Sequence, residues 1–427
     1  MNRWYARIIP HLIFCVTTCL VLFGLVMVYS SSAFEDYRRS SRSDWEQAVE
    51  KAVETATIQA GESNSGDEAT ATLETLRKKD AERRTSMLST FLRQVRWGLV
   101  GFVFLALAAM VDYPIWQKKI GWVLLAFLGC QLALMTIPPD TGLPIQSRVV
   151  NGARSSLQIL SFRFQPSEIA KLGVIVFTAW VLARSHQPGR NFFLCIVPGF
   201  FIAGVSVALI LWESDKGVAG HLCIALLALW TLAGIKFRYI AVMGILATVA
   251  IGSFIIYDPE AVSRFFDSFQ MRQAKAAFAR GGLLGTGIGD GDADLAYLYA
   301  AHTDFILAVI GEELGFIASS LVVFGYLFLI LLGLKVAEGC PDPFGTYLAL
   351  GITVLIGTQA FLNIAVSTGM APTTGFTLPL LSYGGSSLIW TMAGIGVLIN
   401  ISLSNPSYLL GNGKKVRSVF GTAGRVV

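Results

Sequence analysis

Long apolar stretches separated by short polar turns run along most of this 427-residue chain. A helix needs about 20 apolar residues to cross about 30 Å of hydrocarbon. Roughly ten stretches approach that length: 8–30, 92–112, 119–137, 167–184, 192–212, 217–235, 238–257, 304–334, 345–367 and 382–403. The pattern predicts an all-α integral membrane protein, a polytopic bundle of about ten transmembrane helices. Basic residues in short loops set the expected orientation. With the N-terminus inside, the inner loops hold Arg3, Arg7, Lys118, Lys119, Arg184, Arg190, Lys236, Arg238 and Lys335, and the tail adds Lys414, Lys415, Arg417 and Arg425. Both termini are therefore expected in the cytoplasm.

Two segments depart from this rhythm. Residues 35–90 form a polar insertion, expected outside the membrane between the first two spans. It has too few apolar residues for a core and reads as an appendage. The second departure, 258–303, carries Val262, Phe265, Phe266 and Phe269 at helical spacing, with Arg264, Arg272, Lys275 and Arg280 interleaved. That pattern predicts a helix lying in the interface with its cations toward lipid headgroups. The run GGLLGTGIGDG, Gly281 to Gly291, follows it. No strand precedes this run, so it fails the context of a dinucleotide loop and reads as a flexible hinge. The expected organisation is a first transmembrane helix (1–34), the insertion (35–90), a transmembrane core (91–404) and a basic tail (405–427).

Composition sharpens the picture. A hydrophobic share of 54% with 14% charged residues excludes an ordinary soluble globule. The net charge of +5 reflects topology and implies no nucleic-acid partner. The first apolar run exceeds the 7–15 residues of a signal h-region, so a retained helix is expected over a cleaved leader. Six cysteines (Cys15, Cys19, Cys130, Cys195, Cys223 and Cys340) lack metal-ligand spacing, and the four histidines are scattered. Disulfides and structural zinc are not expected.

The candidate chemistry lies in the polar residues that interrupt this apolar chain. Charged side chains at a membrane helix centre cost about 2.5–3.5 kcal/mol each on insertion scales and are functional suspects. Asp304 is expected at the mouth of the span 304–334, with Glu312 about 12 Å deeper on nearly the same face and Glu313 half a turn round. Gln165-Pro166-Ser167-Glu168 opens the fourth span, and Glu168 is placed to pair with Lys171. Glu213, Asp215 and Lys216 fill the turn after the fifth span, Arg154 lies after the third, and the run Ser382 to Ser387 opens the tenth. On the expected topology all of these face outward. Cations beside an acid, next to a lipid-facing helix, suit a substrate with a phosphate headgroup and an apolar tail. Arg154, Lys171 and Arg272 are candidates for phosphate oxygens, and Asp304 for accepting a proton from an attacking hydroxyl. The residues alone leave a lipid-substrate enzyme and a transporter both open.

The segments NGARSSLQILSFRFQPSEIAKL, AHTDFILAVIGEELG, DPFGTYLALGIT and TGMAPTTGFTLPLLSYGGSSL resemble the SEDS family (FtsW, RodA and SpoVE). The resemblance covers nearly the whole chain outside 35–84, and GLVMVYSSS with the Thr-Leu-Pro at 377–379 looks more like the division branch than the elongation branch. It implies a peptidoglycan glycosyltransferase that polymerises lipid II into β-1,4-linked strands outside the bacterial inner membrane, at the septum. It implies a class B penicillin-binding protein (FtsI-like) and other divisome proteins as partners, and a divalent cation, Mg2+ or Mn2+, as cofactor. By that resemblance Asp304 is the catalytic acid. The expected substrate-binding residues are Arg154, Glu168, Lys171, Asp215, His302, Thr303, Ser382, Gly384 and Ser386. A lipid II flippase and a non-catalytic division scaffold are the alternatives. The chain departs from the family pattern at Ser155 and Ser156, at Ser214 to Gly217, at Asp294, at Leu298 to Ala301 and at Thr374. These departures remove positive charge and rigidity around the expected site.

Overall fold

The computed structural model describes residues 3–41, 90–120, 122–123, 126–127, 129, 131, 145–150, 153–159, 162–184, 197–213, 215–256, 269–289, 303–373 and 375–404. Much of the insertion, parts of the loop 258–303, His302 and the tail 405–427 fall outside these residues. The described chain is mostly helical: α1 (Arg3–Ser41), α2 (Thr90–Met110), α3 (Pro114–Lys118), α4 (Pro166–Ala183), α5 (Val197–Trp212), α6 (Lys216–Leu232), α7 (Phe237–Ile256), α8 (Phe269–Gly281), α9 (Ile306–Glu313), α10 (Gly315–Gly339), α11 (Pro343–Ser367) and α12 (Gly385–Leu403). Six stretches are long and apolar enough to cross a membrane: Ile8–Ser31, Thr90–Met110, Pro166–Ala183, Gly315–Gly339, Pro343–Ser367 and Gly385–Leu403. The shorter apolar helices α5 and α6 join them. The expected span 119–137 lies largely outside the described residues.

Helix α11 is the centre of the bundle. It packs against α4, α6, α10 and α12 and is buried around most of its circumference. Pro343 opens it, and the Asp342 side chain accepts a hydrogen bond from the Gly345 amide at 3.0 Å, a capping arrangement that ends the preceding turn. Helix α10 instead presents Phe316, Ile317, Leu321, Phe324 and Leu331 outward, as a helix facing hydrocarbon does.

The structure departs from the sequence expectations in four places. A three-stranded antiparallel sheet joins the helices: β1 (Ile145–Val150), β2 (Ala153–Ile159) and β3 (Phe162–Phe164), in that order. Ile145 pairs with Ile159, and Leu157 with Phe164. Leu-Gln-Ile at 157–159 and Phe-Arg-Phe at 162–164 alternate apolar and polar, the strand period that a reading tuned to membrane helices passes over. Helix α1 runs to Ser41, past the boundary expected at residue 34. The expected span 304–334 is two helices, broken at Leu314 where Gly315 takes φ +77. Asp304 lies in the turn just before α9, at the mouth of the expected span.

The glycine run is the fourth correction. A Cβ on Gly281 would meet the Gly311 carbonyl at 1.8 Å, and one on Gly285 (φ +84) the Glu313 carbonyl at 2.2 Å. The Thr286 and Gly287 amides donate to the Glu312 and Glu313 carbonyls at 2.9 and 3.0 Å, and the Phe316 amide donates to Gly282. These glycines allow two backbones to touch, and the segment up to Gly289 forms a close-packed seam in place of the expected hinge.

Candidate active site

The site grows from polar residues on one face of α11. Gln359, Asn363 and Ser367 recur every four residues in an otherwise apolar helix and are all buried. Asn363 donates through Nδ2 to the Asp304 carbonyl at 2.8 Å and to the Phe376 carbonyl at 2.5 Å. Ser367 Oγ reaches the Asp304 carbonyl at 3.5 Å. One amide group thus staples the Asp304 turn to the segment that follows α11. The carboxylate of Asp304 lies beside that segment, with Oδ2 3.9 Å from where a Cβ on Gly375 would sit.

Gln359 does the same for a second group. Its Nε2 donates to the Thr377 carbonyl at 3.0 Å, and its Oε1 accepts from Lys171 Nζ at 3.1 Å. Lys171 also donates to Glu168 Oε1 at 2.9 Å, so the expected i,i+3 pair is present and buried. Both partners sit in the first two turns of α4, where Pro166 starts the helix and Glu168 faces its positive end. A narrow crevice, with room for about one water molecule, runs from Glu168, Lys171 and Gln359 past Leu172, Ile356 and Trp390.

Gln165 links three elements. Its amide donates to Ser386 Oγ at 3.1 Å, and its Nε2 donates to Asp215 Oδ2 at 3.0 Å. Asp215 caps α6 by accepting from the Val218 amide at 3.1 Å. Burial pushes the Asp215 carboxyl up; the Val218 amide, Lys171 and Gln165 oppose that shift, and Glu168 adds to it. Two residues earlier, burial and then Asp215 push the Glu213 carboxyl up to about 8. Neither Glu213 oxygen has a hydrogen-bond partner among the described residues.

The segment 375–384 closes the site from the other side. Ser382 Oγ accepts from the Leu378 amide at 2.8 Å, and Gln94 Nε2 donates to the Ser382 carbonyl at 3.2 Å. The Tyr326 hydroxyl donates to the Pro379 carbonyl. Leu380 holds φ 71, an uncommon conformation for a bulky side chain, which these bonds overdetermine. Gly384 packs on Thr377, and Ser386 lies in the first turn of α12.

Asn363 therefore holds the Asp304 turn, Gln359 holds Lys171 with its partner Glu168, and Gln165 holds Asp215 and Ser386, while Ser382 and Gly384 lie in or beside the segment that Asn363 and Gln359 also reach at Phe376 and Thr377. Thr303 lies in the turn with Asp304. Arg154 lies on β2, but its side chain and His302 fall outside what is described. Glu312 and Glu313 take other partners: Arg280 Nη1 lies 3.7 Å from Glu312, and Ser30 Oγ lies 2.9 and 2.7 Å from the two Glu313 oxygens. The sequence reading missed Gln359, Asn363 and Ser367, although their four-residue spacing inside the span 345–367 was a visible signal.

Comparison with known proteins then decides the family. The model of the FtsW, RodA and SpoVE family, described as "Cell cycle protein", matches residues 73–406. The chain belongs to this family. A relative from Geobacter sp. strain M18, named "Probable peptidoglycan glycosyltransferase FtsW", is 37% identical over 322 residues, covering 73% of this chain and 86% of the relative. The Stage V sporulation protein E of Bacillus subtilis is 31% identical, with coverages of 73% and 86%. Among solved structures, a chain of a peptidoglycan synthase complex aligns with a TM-score of 0.62 at 23% identity, covering 74% of this chain and 90% of that one. The rod shape determining protein RodA of Thermus thermophilus aligns at 0.59 and 20% identity, covering 92% and 96%. These structures share the SEDS fold, and the protein is a multi-pass membrane protein.

Proposed function

We propose that this SEDS protein is a peptidoglycan glycosyltransferase that polymerises lipid II into β-1,4-linked glycan strands on the outer face of the bacterial inner membrane during division. The observation that carries this reading is the anchoring of Asp304. Asn363 and Ser367 grip its main-chain carbonyl and so fix the turn that carries the carboxylate. A carboxylate so placed acts as general base. It takes the proton from the sugar 4-hydroxyl of one lipid II as that oxygen bonds to the anomeric carbon of another chain. The bond from that carbon to undecaprenyl pyrophosphate breaks in the same step, and a single displacement inverts the centre.

No group of three or more His, Cys, Asp or Glu side chains converges among the described residues. A protein-only cage is therefore absent from these residues. Mg2+ is commonly held by one or two carboxylates together with substrate phosphates and not by a protein-only cage. Such an ion would offset charge on the leaving pyrophosphate. A structural neighbour was solved in a peptidoglycan synthase complex that coordinates polymerization and crosslinking, which supports a crosslinking partner here, proposed to be a class B penicillin-binding protein at the septum.

The test is lipid II polymerisation by purified protein with its penicillin-binding partner and Mg2+. Wild type is expected to make glycan strands and Asp304→Ala none, with both proteins equally folded and inserted. Normal synthesis by the variant would refute the mechanism.

A further inference from the structure

Resting on the glycosyltransferase reading, we infer that Lys275 is a further substrate-binding residue, one whose ammonium contacts phosphate oxygens of the lipid-linked pyrophosphate. Lys275 projects from α8, the helix that the sequence aimed at lipid headgroups. The structure folds its side chain inward over Gly369, where an added Cβ would meet Cε at 2.1 Å and Nζ at 2.9 Å. Gly369 directly follows the end of α11, two residues after Ser367, which reaches the Asp304 carbonyl. The ammonium is thereby brought to the same helix end that positions the catalytic acid. Helix α8 cannot drift from this place, because Gly281 meets the Gly311 backbone and Phe278 covers Gly311.

Ordinary structural duties do not account for this cation. Lys275 has no ion-pair or hydrogen-bond partner among the described residues. Capping α11 is already done by the backbone. The Thr368, Gly369 and Met370 amides donate to the Ile364, Val366 and Ala365 carbonyls, and Gly369 takes φ +74 as a helix-ending glycine does. The stem of the lysine lies over Gly369 while the residue stays exposed. A point charge at this helix end suits a leaving group that gains negative charge as its bond to carbon breaks.

Two sources of phosphate oxygens reach this place, the substrate pyrophosphate and the headgroups of anionic phospholipid. The experiment compares full-length wild type, Lys275→Gln, Lys275→Arg and the remote control Lys335→Gln in nanodiscs of zwitterionic or anionic lipid. It reads lipid II polymerisation and the affinity for inorganic pyrophosphate by calorimetry. In zwitterionic discs Lys275→Gln is expected to raise KM for lipid II and weaken pyrophosphate binding together, by about 10- to 100-fold for one charge-assisted contact. Lys275→Arg is expected to keep most of both, and Lys335→Gln all of both. Unchanged KM and pyrophosphate affinity in Lys275→Gln would overturn the inference, as would a defect confined to anionic discs, which assigns the cation to headgroups. If wild type makes no glycan, the glycosyltransferase reading fails separately. The pyrophosphate affinities of wild type and Lys275→Gln then decide the binding site on their own, a loss in the variant upholding it and equality overturning it.

Discussion

Two acidic regions of this molecule, one buried and one half-buried, are built in opposite ways. At the α9–α10 seam, the side chains of Glu312 and Glu313 are themselves gripped, by Arg280 and by Ser30. At the α11 face the protein grips Asp304 by its main-chain carbonyl. A carboxylate tied by its own oxygens serves packing, since moving a proton onto it would break the tie. At Asp304 the hold on the backbone sets where the turn lies. The membrane cost that made all three acids suspect did not separate them. What each one's neighbours hold does.

Substitutions at the two regions should therefore differ in kind. The largest effect is expected at Asp304, where Asp304→Asn keeps the turn and its bond to Asn363 but removes the base. Polymerisation should fall about 10²–10⁴-fold with unchanged thermal stability; a loss below tenfold would remove it from the chemistry. Asn363→Ala comes next, because it frees the Asp304 and Phe376 carbonyls together. We expect a stability loss of about 1–3 kcal/mol with a clear fall in turnover, read from the melting temperature and from lipid II consumption. At the seam, Glu313→Ala orphans Ser30 and should cost a similar 1–3 kcal/mol, yet leave kcat near wild type below the lowered melting temperature. A collapse of kcat in folded Glu313→Ala would erase the distinction between the regions.

Gly281→Ala tests the seam itself. Its Cβ must displace the Gly311 backbone, and overpacking of this kind typically costs 1–3 kcal/mol. A variant as stable as wild type would restore the hinge reading.

A further contrast concerns Glu213, in the turn after α5, and is read from pH and not from turnover. Its folded pKa of about 8 lies above the ordinary carboxylate value. The folded state therefore holds the proton more tightly than the unfolded chain, and stability falls as pH rises from about 4.5 toward 8. Glu213→Gln stays neutral and should lose less stability than wild type between pH 5 and pH 8. Parallel melting curves across that range would contradict the burial of Glu213 as a carboxylic acid.

The apolar periodicity and the punctuation by basic loops were enough for a multi-pass helical membrane protein, because hydrocarbon leaves a spanning segment few other solutions. The long motifs were enough for the family. Glu168 and Lys171 were also legible, since three residues of helix bring them together whatever else the chain does. The strands at 145–164 were partly legible and were passed over because their period is two, in a chain searched for 3.6. Only the tertiary structure could decide the rest. Whether a glycine run bends or seals depends on the backbone it meets, here Gly311 and Glu313, which lie some 30 residues away in sequence. That Asn363 holds the Asp304 turn and Ser30 meets Glu313 was fixed by packing, because a linear pattern does not name partners so far apart. The sequence determined what must leave water; packing decided which polar groups came to lie together.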